Sequence, residues 1–301
     1  MDNDTDVLPG LYKKKSLERK RTFFAFLLLI FGWFVNIIVL AWVHDRVPRN
    51  YAPLPDLFFS IFPEIPEAIK ITEFIMLFMV INALGVIYLH QHRWIVARRV
   101  FFCVAVAYVF RAICICLIQV PVPSINTYCA PQNVSSIYVV SKRVLSTFWS
   151  AGIEALRPRV LCGDLIVSGH TISLFTALHT FKYYAPQKLR ILINIYRVIA
   201  FIAIVCILFA RKHYSIDVFL GYVVATNVFR TYHSLMHSYH QNELDKNLHS
   251  QNVLTSVIGY LEEDALPPYL FVNMFKVPTL INEKNITKMC GNKKESRDLN
   301  I

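Results

Sequence analysis

The sequence predicts an all-α fold, namely a six-transmembrane helical bundle with cytosolic N- and C-termini. Of its 301 residues, 55% are hydrophobic and only 17% are charged, whereas soluble domains are about half apolar and about one quarter charged. The apolar residues also gather in runs of about 20, the length that a helix needs to cross a hydrocarbon core of about 30 Å. Basic residues flank these runs unevenly, and such asymmetry orients membrane helices.

Six apolar runs follow one another, at residues 23–43, 71–89, 100–120, 165–183, 191–210 and 214–232. Basic residues at 13–15 and 19–21 stand directly before the first run. Positive charge retains a helix flank in the cytosol, so residues 1–22 are predicted to form a basic cytosolic tail. The first run is too long for the apolar core of a secretory signal, and no small-residue cleavage site follows it. It is therefore predicted to be a retained helix.

The connections between the runs differ in charge, as this orientation requires. The basic connections at 90–99 and 182–190 are predicted to be cytosolic. Segments 45–70 and 121–164, and the short turn around Arg211, then face the other side of the membrane.

Two further segments complete the predicted organisation. Residues 137–153 are mildly apolar but contain Lys142 and Arg143, so we predict an interfacial or re-entrant helix rather than a seventh crossing. Residues 236–301 form a polar cytosolic C-terminal tail with several prolines and a charged end, which is expected to be poorly ordered. Residues 23–235 between the two tails form the predicted transmembrane catalytic domain.

Composition excludes several classes of partner. The net charge of +11 does not predict nucleic-acid binding, because the basic residues cluster beside apolar runs, where they orient helices. With nine glycines and no Gly-rich phosphate loop, the chain lacks the usual nucleotide-binding motifs. Its seven cysteines show no paired C-x-x-C spacing of the kind found in metal sites. We expect neither a cofactor nor a metal.

Two short segments carry ionisable residues where an apolar environment makes them expensive. Residues 162–171 read CGDLIVSGHT, and residues 212–217 read KHYSID. His213 and Asp217 are four residues apart and share one helical face, where a carboxylate fixes the tautomer of a histidine. His170 begins the fourth run, and two crossings separate it from His213. The predicted topology therefore places both histidines on the same, non-cytosolic face.

Two histidines and a carboxylate suit covalent transfer of a phosphodiester group. One imidazole attacks phosphorus and carries the phospho-group, while the other protonates the departing alkoxide and then deprotonates the incoming alcohol. Ser168 and Gly169, just before the fourth helix, offer hydroxyl and backbone donors to phosphate oxygens, and a helix N-terminus favours an anion there. Ser168 and Asp164 are equally compatible with simple capping of that helix.

The two segments resemble those of the sphingomyelin synthase family, a branch of the lipid phosphate phosphatase superfamily. Three other stretches resemble family motifs, namely residues 53–56, 108–111 with 120–123, and 232–234. The resemblance implies that His213 is the nucleophile, Asp217 its partner and His170 the acid–base residue. It also implies a phospholipid donor, either phosphatidylcholine or phosphatidylethanolamine, and ceramide as the acceptor.

The chain departs from the wider superfamily at two basic positions. Ile207 stands where the superfamily has an arginine, and Ser150 stands where its Lys-x6-Arg-Pro element has the lysine, although Arg157 and Pro158 are present. The phosphate charge must then be met by other cations, for which Arg111, Arg211 and Lys212 are the candidates. For Arg111, which lies within an apolar run, pairing with a carboxylate is an equal alternative.

Smaller features lead to further expectations. Cys129 and Cys162 share the predicted luminal loop, where a disulfide can persist, and Asn133 begins a glycan sequon in the same loop. His179 is predicted to be a packed histidine. His233 and His237, near the cytosolic end of the last run, are predicted to be interfacial.

The leading hypothesis is a sphingolipid synthase that moves phosphocholine from phosphatidylcholine to ceramide, giving sphingomyelin and diacylglycerol. Choline is favoured because this activity is the commoner one among similar proteins, and an aromatic or acidic cradle for it has four candidates, Asp56, Phe59, Glu154 and Tyr214. The alternatives are phosphoethanolamine transfer, a lipid phosphatase, and a non-catalytic lipid sensor or transporter. The expected location is the Golgi or plasma membrane, with the site on the luminal or extracellular side.

Overall fold

A computed structural model describes residues 7–49, 51–132, 137–150, 161–251 and 253–276. In this part of the chain the regular structure is helical, apart from one isolated β-bridge between His90 and Phe275. The α-helices of the described residues are α1 (Val7–Val43), α2 (Leu57–Ile61), α3 (Ala68–Leu89), α4 (Arg93–Leu117), α5 (Ile137–Ser150), α6 (Gly169–Tyr184), α7 (Leu192–Phe209), α8 (Ser215–His240) and α9 (Leu254–Glu262). The all-α prediction is confirmed.

Four of these helices are long and apolar enough to cross a membrane, namely α1, α3, α4 and α7. The other two predicted runs coincide with α6 and α8. Neither reaches the length and apolarity of the other four, because α6 has only 16 residues and α8 carries polar residues along its length. The polar residues of the candidate site lie at the beginnings of these two helices.

Two helices begin earlier than their apolar runs. Helix α1 begins at Val7 rather than near residue 23, so the basic segment before the first run is helical. Lysine, arginine and leucine are good helix formers, which explains the extension. Helix α4 begins at Arg93 rather than near residue 100. The basic residues Arg98 and Arg99 are accommodated in it because their side chains are buried in ion pairs with carboxylates, as described below.

The helices pack into one bundle around α4 and α6. Helix α4 lies against α1, α6 and α8, and α6 lies between α3 and α8. At the crossing of α1 and α4, Gly32 permits close approach, since an added Cβ would lie 2.8 Å from the carbonyl oxygen of Ala105. Helix α5 forms where an interfacial helix is predicted and lies against α1. Arg143 of α5 pairs with Asp45 at the end of α1, at 2.7 and 3.0 Å.

The C-terminal segment is folded as far as residue 276, and the charged end that is predicted to be poorly ordered lies outside the described residues. Helix α8 continues to His240, and α9 packs on the ends of α1 and α8. The fully buried Glu262 of α9 accepts two hydrogen bonds from Arg99, at 2.9 and 2.6 Å, and one from Tyr232 at 2.7 Å. Buried charge pairing therefore ties this segment to the bundle, although its composition is polar.

Two neighbouring carboxylates extend this pairing. Asp264 lies 2.8 Å from Arg98 and 2.8 Å from Arg21, and Glu263 contacts Arg21 as well. Arg21 belongs to α1, and the arginine pair belongs to α4. The C-terminal segment thus joins α1 and α4 through side chains that are distant in sequence.

His233 is also placed more deeply than predicted. It is buried rather than interfacial, with a ring nitrogen 2.6 Å from the hydroxyl of Tyr184 and its ring stacked on Phe229. The reason is that α8 turns this face towards α6, not towards the surface. His237, one turn further on, is exposed.

The ionisation of Glu262 gives a prediction for the pH dependence of stability. Burial alone would raise the pKa of the Glu262 carboxyl, but Arg99, His240 and Tyr232 outweigh it and hold the pKa well below its ordinary range. The folded chain therefore binds fewer protons at this site than the unfolded chain does. The stabilisation is present above about pH 4.3, the ordinary glutamate pKa, and is lost as the pH falls below it.

We accordingly expect Glu262→Gln to lower the free energy of unfolding by about 2 kcal/mol near neutral pH, because Arg99 loses its charged acceptor. The matched control is Glu263→Gln, since that side chain is 63% exposed and such pairs contribute at most about 1 kcal/mol. Thermal unfolding of both variants in detergent at pH 7 and pH 4 checks this. Equal losses in the two variants, or a loss that grows on acidification, would contradict the prediction.

Candidate active site

The two predicted histidines lie side by side. The ring of His170, at the start of α6, lies 5.9 Å from the ring of His213, and the planes are inclined at 69°. His213 is almost fully buried and His170 is partly open, with side-chain exposures of 1% and 12%. At this separation a single phosphate group can contact both imidazoles.

Asp217 stands behind His213 and supports the start of α8. Its Oδ2 lies 3.9 Å from His213 Nδ1, which is an ion-pair distance and is too long for a hydrogen bond. The same oxygen accepts the backbone N–H of Tyr214 at 2.9 Å, which caps α8. The carbonyl oxygen of Asp217 accepts the N–H of Ser168 at 3.0 Å. One residue thus joins the two sequence segments that carry the histidines.

Ser168 has the capping role that the sequence allowed. Its hydroxyl accepts the N–H of Thr171 at 3.3 Å, at the first turn of α6, and the side chain is fully buried. Gly169 lies against Arg111, because an added Cβ would meet the guanidinium carbon at 3.3 Å. Binding of phosphate by Ser168 or Gly169 stays a prediction.

Helices α6 and α8 approach each other closely beside the histidines. At Gly221 of α8, an added Cβ would lie 2.9 Å from the carbonyl oxygen of Ser168 and 2.9 Å from Cβ of Thr171. Neither neighbour is a flexible side-chain tip that could move aside. The pairing of the two histidines therefore depends on a glycine one turn beyond Asp217.

We expect Gly221→Ala to lower turnover by about 10- to 100-fold, because a displacement of the helices by about 1 Å misaligns reacting groups on that scale. We also expect a loss of about 1–3 kcal/mol in stability from overpacking. Gly85→Ala in α3 is the control, since an added Cβ there meets nothing within 4 Å. The assay is headgroup transfer alongside thermal unfolding, and full activity in Gly221→Ala would show that this contact is not needed.

The guanidinium group of Arg111 interacts with three other residues of the protein. Its guanidinium forms an ion pair with Asp164, donates to the carbonyl oxygen of Val167 at 2.7 Å and donates to Asn36 at 2.6 Å. Of the two alternatives that the sequence left open, the structure therefore shows the ion pair with a carboxylate. Arg111 holds the loop that leads into α6.

The other two basic candidates precede His213. Arg211 donates to the carbonyl oxygen of Phe59 at 3.1 Å and lies over the Phe59 ring. Lys212 and Arg211 line a small cavity of about 50 Å³ together with Asp164. This cavity lies against the loop that Arg111 holds. A role for Lys212 in binding phosphate stays a prediction.

Asp56 braces the beginning of α8 from the loop before α2. Its carboxylate accepts the N–H of Ser215 at 2.8 Å, the Ser215 hydroxyl at 2.9 Å and the N–H of Phe58 at 2.9 Å. The Tyr214 hydroxyl donates to the carbonyl oxygen of Pro121 at 3.1 Å and accepts the N–H of Leu54 at 3.0 Å. Both residues, two of the candidates for a headgroup cradle, are therefore used in fixing the loop.

Glu73 of α3 is a site residue that the sequence reasoning did not single out. It is almost fully buried, at 2% exposure, and its Oε1 lies 3.8 Å from Nε2 of His170. A single carboxylate near the start of an otherwise apolar run was the available signal, since such groups are expensive in a membrane helix. Each histidine thus has a carboxylate within ion-pair distance, Glu73 for His170 and Asp217 for His213.

Some of the other predictions concern residues that the structure describes, and the rest concern residues outside the described ranges. The disulfide between Cys129 and Cys162 is confirmed, with Cα atoms 5.7 Å apart. His179 is a packed histidine, as predicted, with Nε2 3.1 Å from the Thr226 hydroxyl. Among the described residues, no cluster of side chains suits a metal ion. The predictions for Asn133, Glu154, Arg157 and Pro158 lie outside the described residues, and so does the side chain of Ser150.

Comparison with known proteins gives consistent matches. The PAP2 superfamily C-terminal domain matches residues 161–234, which contain both histidines and Asp217. The chain is 53% identical over 298 residues to sphingomyelin synthase-related 2 from Caenorhabditis elegans, covering 99% of this chain and 89% of that protein.

Two more distant relatives carry an activity in their names. The chain is 33% identical over 219 residues to phosphatidylcholine:ceramide cholinephosphotransferase 1 from Caenorhabditis elegans, covering 71% of this chain and 46% of that protein. It is 29% identical over 246 residues to the human protein of the same name, covering 81% of this chain and 59% of that protein. The chain therefore spans about half the length of these two relatives.

Proposed function

Because the chain belongs to the sphingomyelin synthase family of the PAP2 superfamily, we propose that it transfers phosphocholine from phosphatidylcholine to ceramide, giving sphingomyelin and diacylglycerol. The observation that carries this proposal is the approach of His170 and His213 to 5.9 Å, with a carboxylate beside each ring. This arrangement supplies a nucleophile and a separate acid–base group on the two sides of one phosphorus atom.

In the first half-reaction, a ring nitrogen of His213 attacks the phosphorus of phosphatidylcholine. An N–P bond forms, the P–O bond to the glycerol oxygen breaks, and His170 gives its proton to that oxygen as diacylglycerol leaves. Asp217 stabilises the positive charge that develops on His213. The phosphocholine group is then held on the enzyme as a phospho-histidine.

In the second half-reaction, His170 takes the proton from the primary hydroxyl of ceramide. The resulting oxygen nucleophile attacks phosphorus, the N–P bond breaks, and sphingomyelin leaves. Glu73 lies 3.8 Å from His170, where its carboxylate stabilises the protonated ring that begins the first half-reaction and is restored by the second. No cofactor is needed, because the proton and the phospho-group are both carried by histidine.

We also propose that α6 and α8 cross the membrane, giving six spans with both termini in the cytosol. In this arrangement the two catalytic histidines face the lumen or the outside of the cell. Support comes from the disulfide between Cys129 and Cys162, since such bonds persist in the oxidising secretory compartments. The Golgi or the plasma membrane is the proposed location.

The test is incubation of the purified protein in detergent micelles with labelled ceramide and, in separate reactions, phosphatidylcholine, phosphatidylethanolamine or phosphatidic acid. Labelled sphingomyelin from phosphatidylcholine is the expected product. Ceramide phosphoethanolamine as the main product would assign the other headgroup. Release of phosphate from phosphatidic acid without ceramide would instead assign a phosphatase, and binding of ceramide with no turnover would assign a sensor.

A further inference from the structure

His44, just after α1, is a fully buried histidine that takes no part in the proposed transfer. Its Nδ1 lies 2.9 Å from the backbone nitrogen of Cys162 and 3.3 Å from the carbonyl oxygen of the same residue. Its Nε2 lies 3.2 Å from the carbonyl oxygen of Ala130 and 3.0 Å from the guanidinium of Arg49. Both ring nitrogens therefore contact partners distant from the two catalytic histidines.

Either neutral tautomer of His44 can form a hydrogen bond with the backbone of Cys162. With the proton on Nε2, Nδ1 accepts the N–H of Cys162 and Nε2 donates to Ala130. With the proton on Nδ1, the ring donates to the carbonyl of Cys162 and accepts from Arg49. Because the disulfide joins Cys162 to Cys129, next to Ala130, the ring fixes both sides of the disulfide to the end of α1.

Residues 161–168, which we name the strap, run from this point to the cap of α6. The strap has two left-handed backbone positions, Gly163 at φ 114° and Val167 at φ 61°. At Gly163 an added Cβ would lie 2.9 Å from Val47. A β-branched residue at positive φ is a genuine outlier, with a cost on the order of 1–3 kcal/mol, and it persists only where the surroundings over-determine the conformation.

Contacts with neighbouring residues fix the backbone of the strap at both of its ends. At its C-terminal end, Arg111 holds Asp164 and the carbonyl of Val167, and Ser168 bonds to the backbone of Asp217. At its N-terminal end, the side-chain hydrogen bond to the backbone comes from His44. The strap ends directly before Gly169 and His170, so its course sets where His170 stands.

Resting on the phosphotransfer proposed above, we propose that His44 is a positioning residue. Through the backbone N–H of Cys162 it fixes the strap, and the strap fixes His170 opposite His213. His44 touches neither substrate nor the reacting atoms. Its contribution is to the rate of the chemical step and not to the binding of the donor lipid.

The test compares His44→Asn with His44→Gln. The side-chain oxygen of asparagine can replace Nδ1 and accept from Cys162, whereas the glutamine amide reaches the position of Nε2 and keeps only the contact with Ala130. We expect His44→Asn to keep kcat within about threefold and His44→Gln to lower kcat by about 10- to 100-fold, the scale of a displacement of about 1 Å. The KM for the donor is expected to be unchanged in both.

Two controls establish that the variants are folded. Non-reducing electrophoresis after alkylation is expected to show an intact disulfide in both, and thermal unfolding in detergent is expected to give similar midpoints. Equal losses of kcat in the two variants, a loss confined to KM, or full turnover in His44→Phe would overturn the proposal.

A readout that does not depend on turnover separates this inference from the proposed function. The rate at which diethyl pyrocarbonate modifies His170, followed by mass spectrometry, reports the position of that ring directly. It is expected to change in His44→Gln and not in His44→Asn, even if wild-type protein makes no transfer product. Identical modification rates in wild type and His44→Gln would overturn the positioning role, whatever the activity assay shows.

Discussion

A His213→Ala variant is expected to lose headgroup transfer by a factor of about 10⁴ or more, because it removes the group that forms the covalent intermediate. His213 is buried beside Asp217, and its removal takes away the imidazole that faces His170. Product formation from phosphatidylcholine and labelled ceramide measures the loss. Substitution here is expected to change kcat and to leave the affinity for ceramide largely intact.

The matched control is His179→Gln, on the same helix as His170. His179 bonds to Thr226 and stacks on Phe229, and glutamine keeps the polar contact. Its turnover is expected to stay within about threefold of wild type. A His213→Ala protein that keeps full product formation would exclude covalent transfer through that residue.

An Arg111→Met variant is expected to lower the free energy of unfolding by about 3–5 kcal/mol, the usual effect of removing one partner of a buried ion pair. Asp164, whose side chain is 13% exposed, would be left without its cation, and Asn36 and the carbonyl of Val167 would lose a donor. The double variant with Asp164→Asn is expected to recover part of the loss, because the stranded charge is then gone.

Thermal unfolding of the four proteins of this double-mutant cycle in detergent measures the coupling. Arg197→Met is the control, because that exposed side chain bonds to the nearby exposed Asn194 and its loss is expected to change stability by about 1 kcal/mol or less. Additive effects of Arg111→Met and Asp164→Asn would show that the pair is not coupled.

Much of the fold was predictable because apolar length and residue spacing are local signals. Each of the six apolar runs coincides with a helix, and Ser168 caps α6, a role that the sequence left open for it. Counting helices predicted only that His170 and His213 share one face, and the structure brings their rings to 5.9 Å. Their catalytic roles rest on the family resemblance and stay predictions.

The features that the sequence did not predict depend on partners far apart in the chain. The composition of the polar tail does not predict that Glu262 pairs with Arg99. The sequence also does not predict that Glu73 lies beside His170, since neither contact has a characteristic spacing along the chain. The sequence likewise could not decide whether Arg111 binds phosphate or pairs with a carboxylate, because its partner Asp164 lies 53 residues further along the chain. Local patterns identify charged groups in apolar surroundings, whereas three-dimensional packing decides which of them pair.

The late position of Glu262 and Asp264 in the chain has a consequence for biosynthesis. Arg98 and Arg99 leave the ribosome more than 160 residues before the carboxylates that neutralise them. During most of translation these two guanidinium groups therefore stand at the end of a membrane helix without their counterions. A nascent chain interrupted before α9 would keep them uncompensated, so α9 is expected to be needed for stable packing of this end of α4.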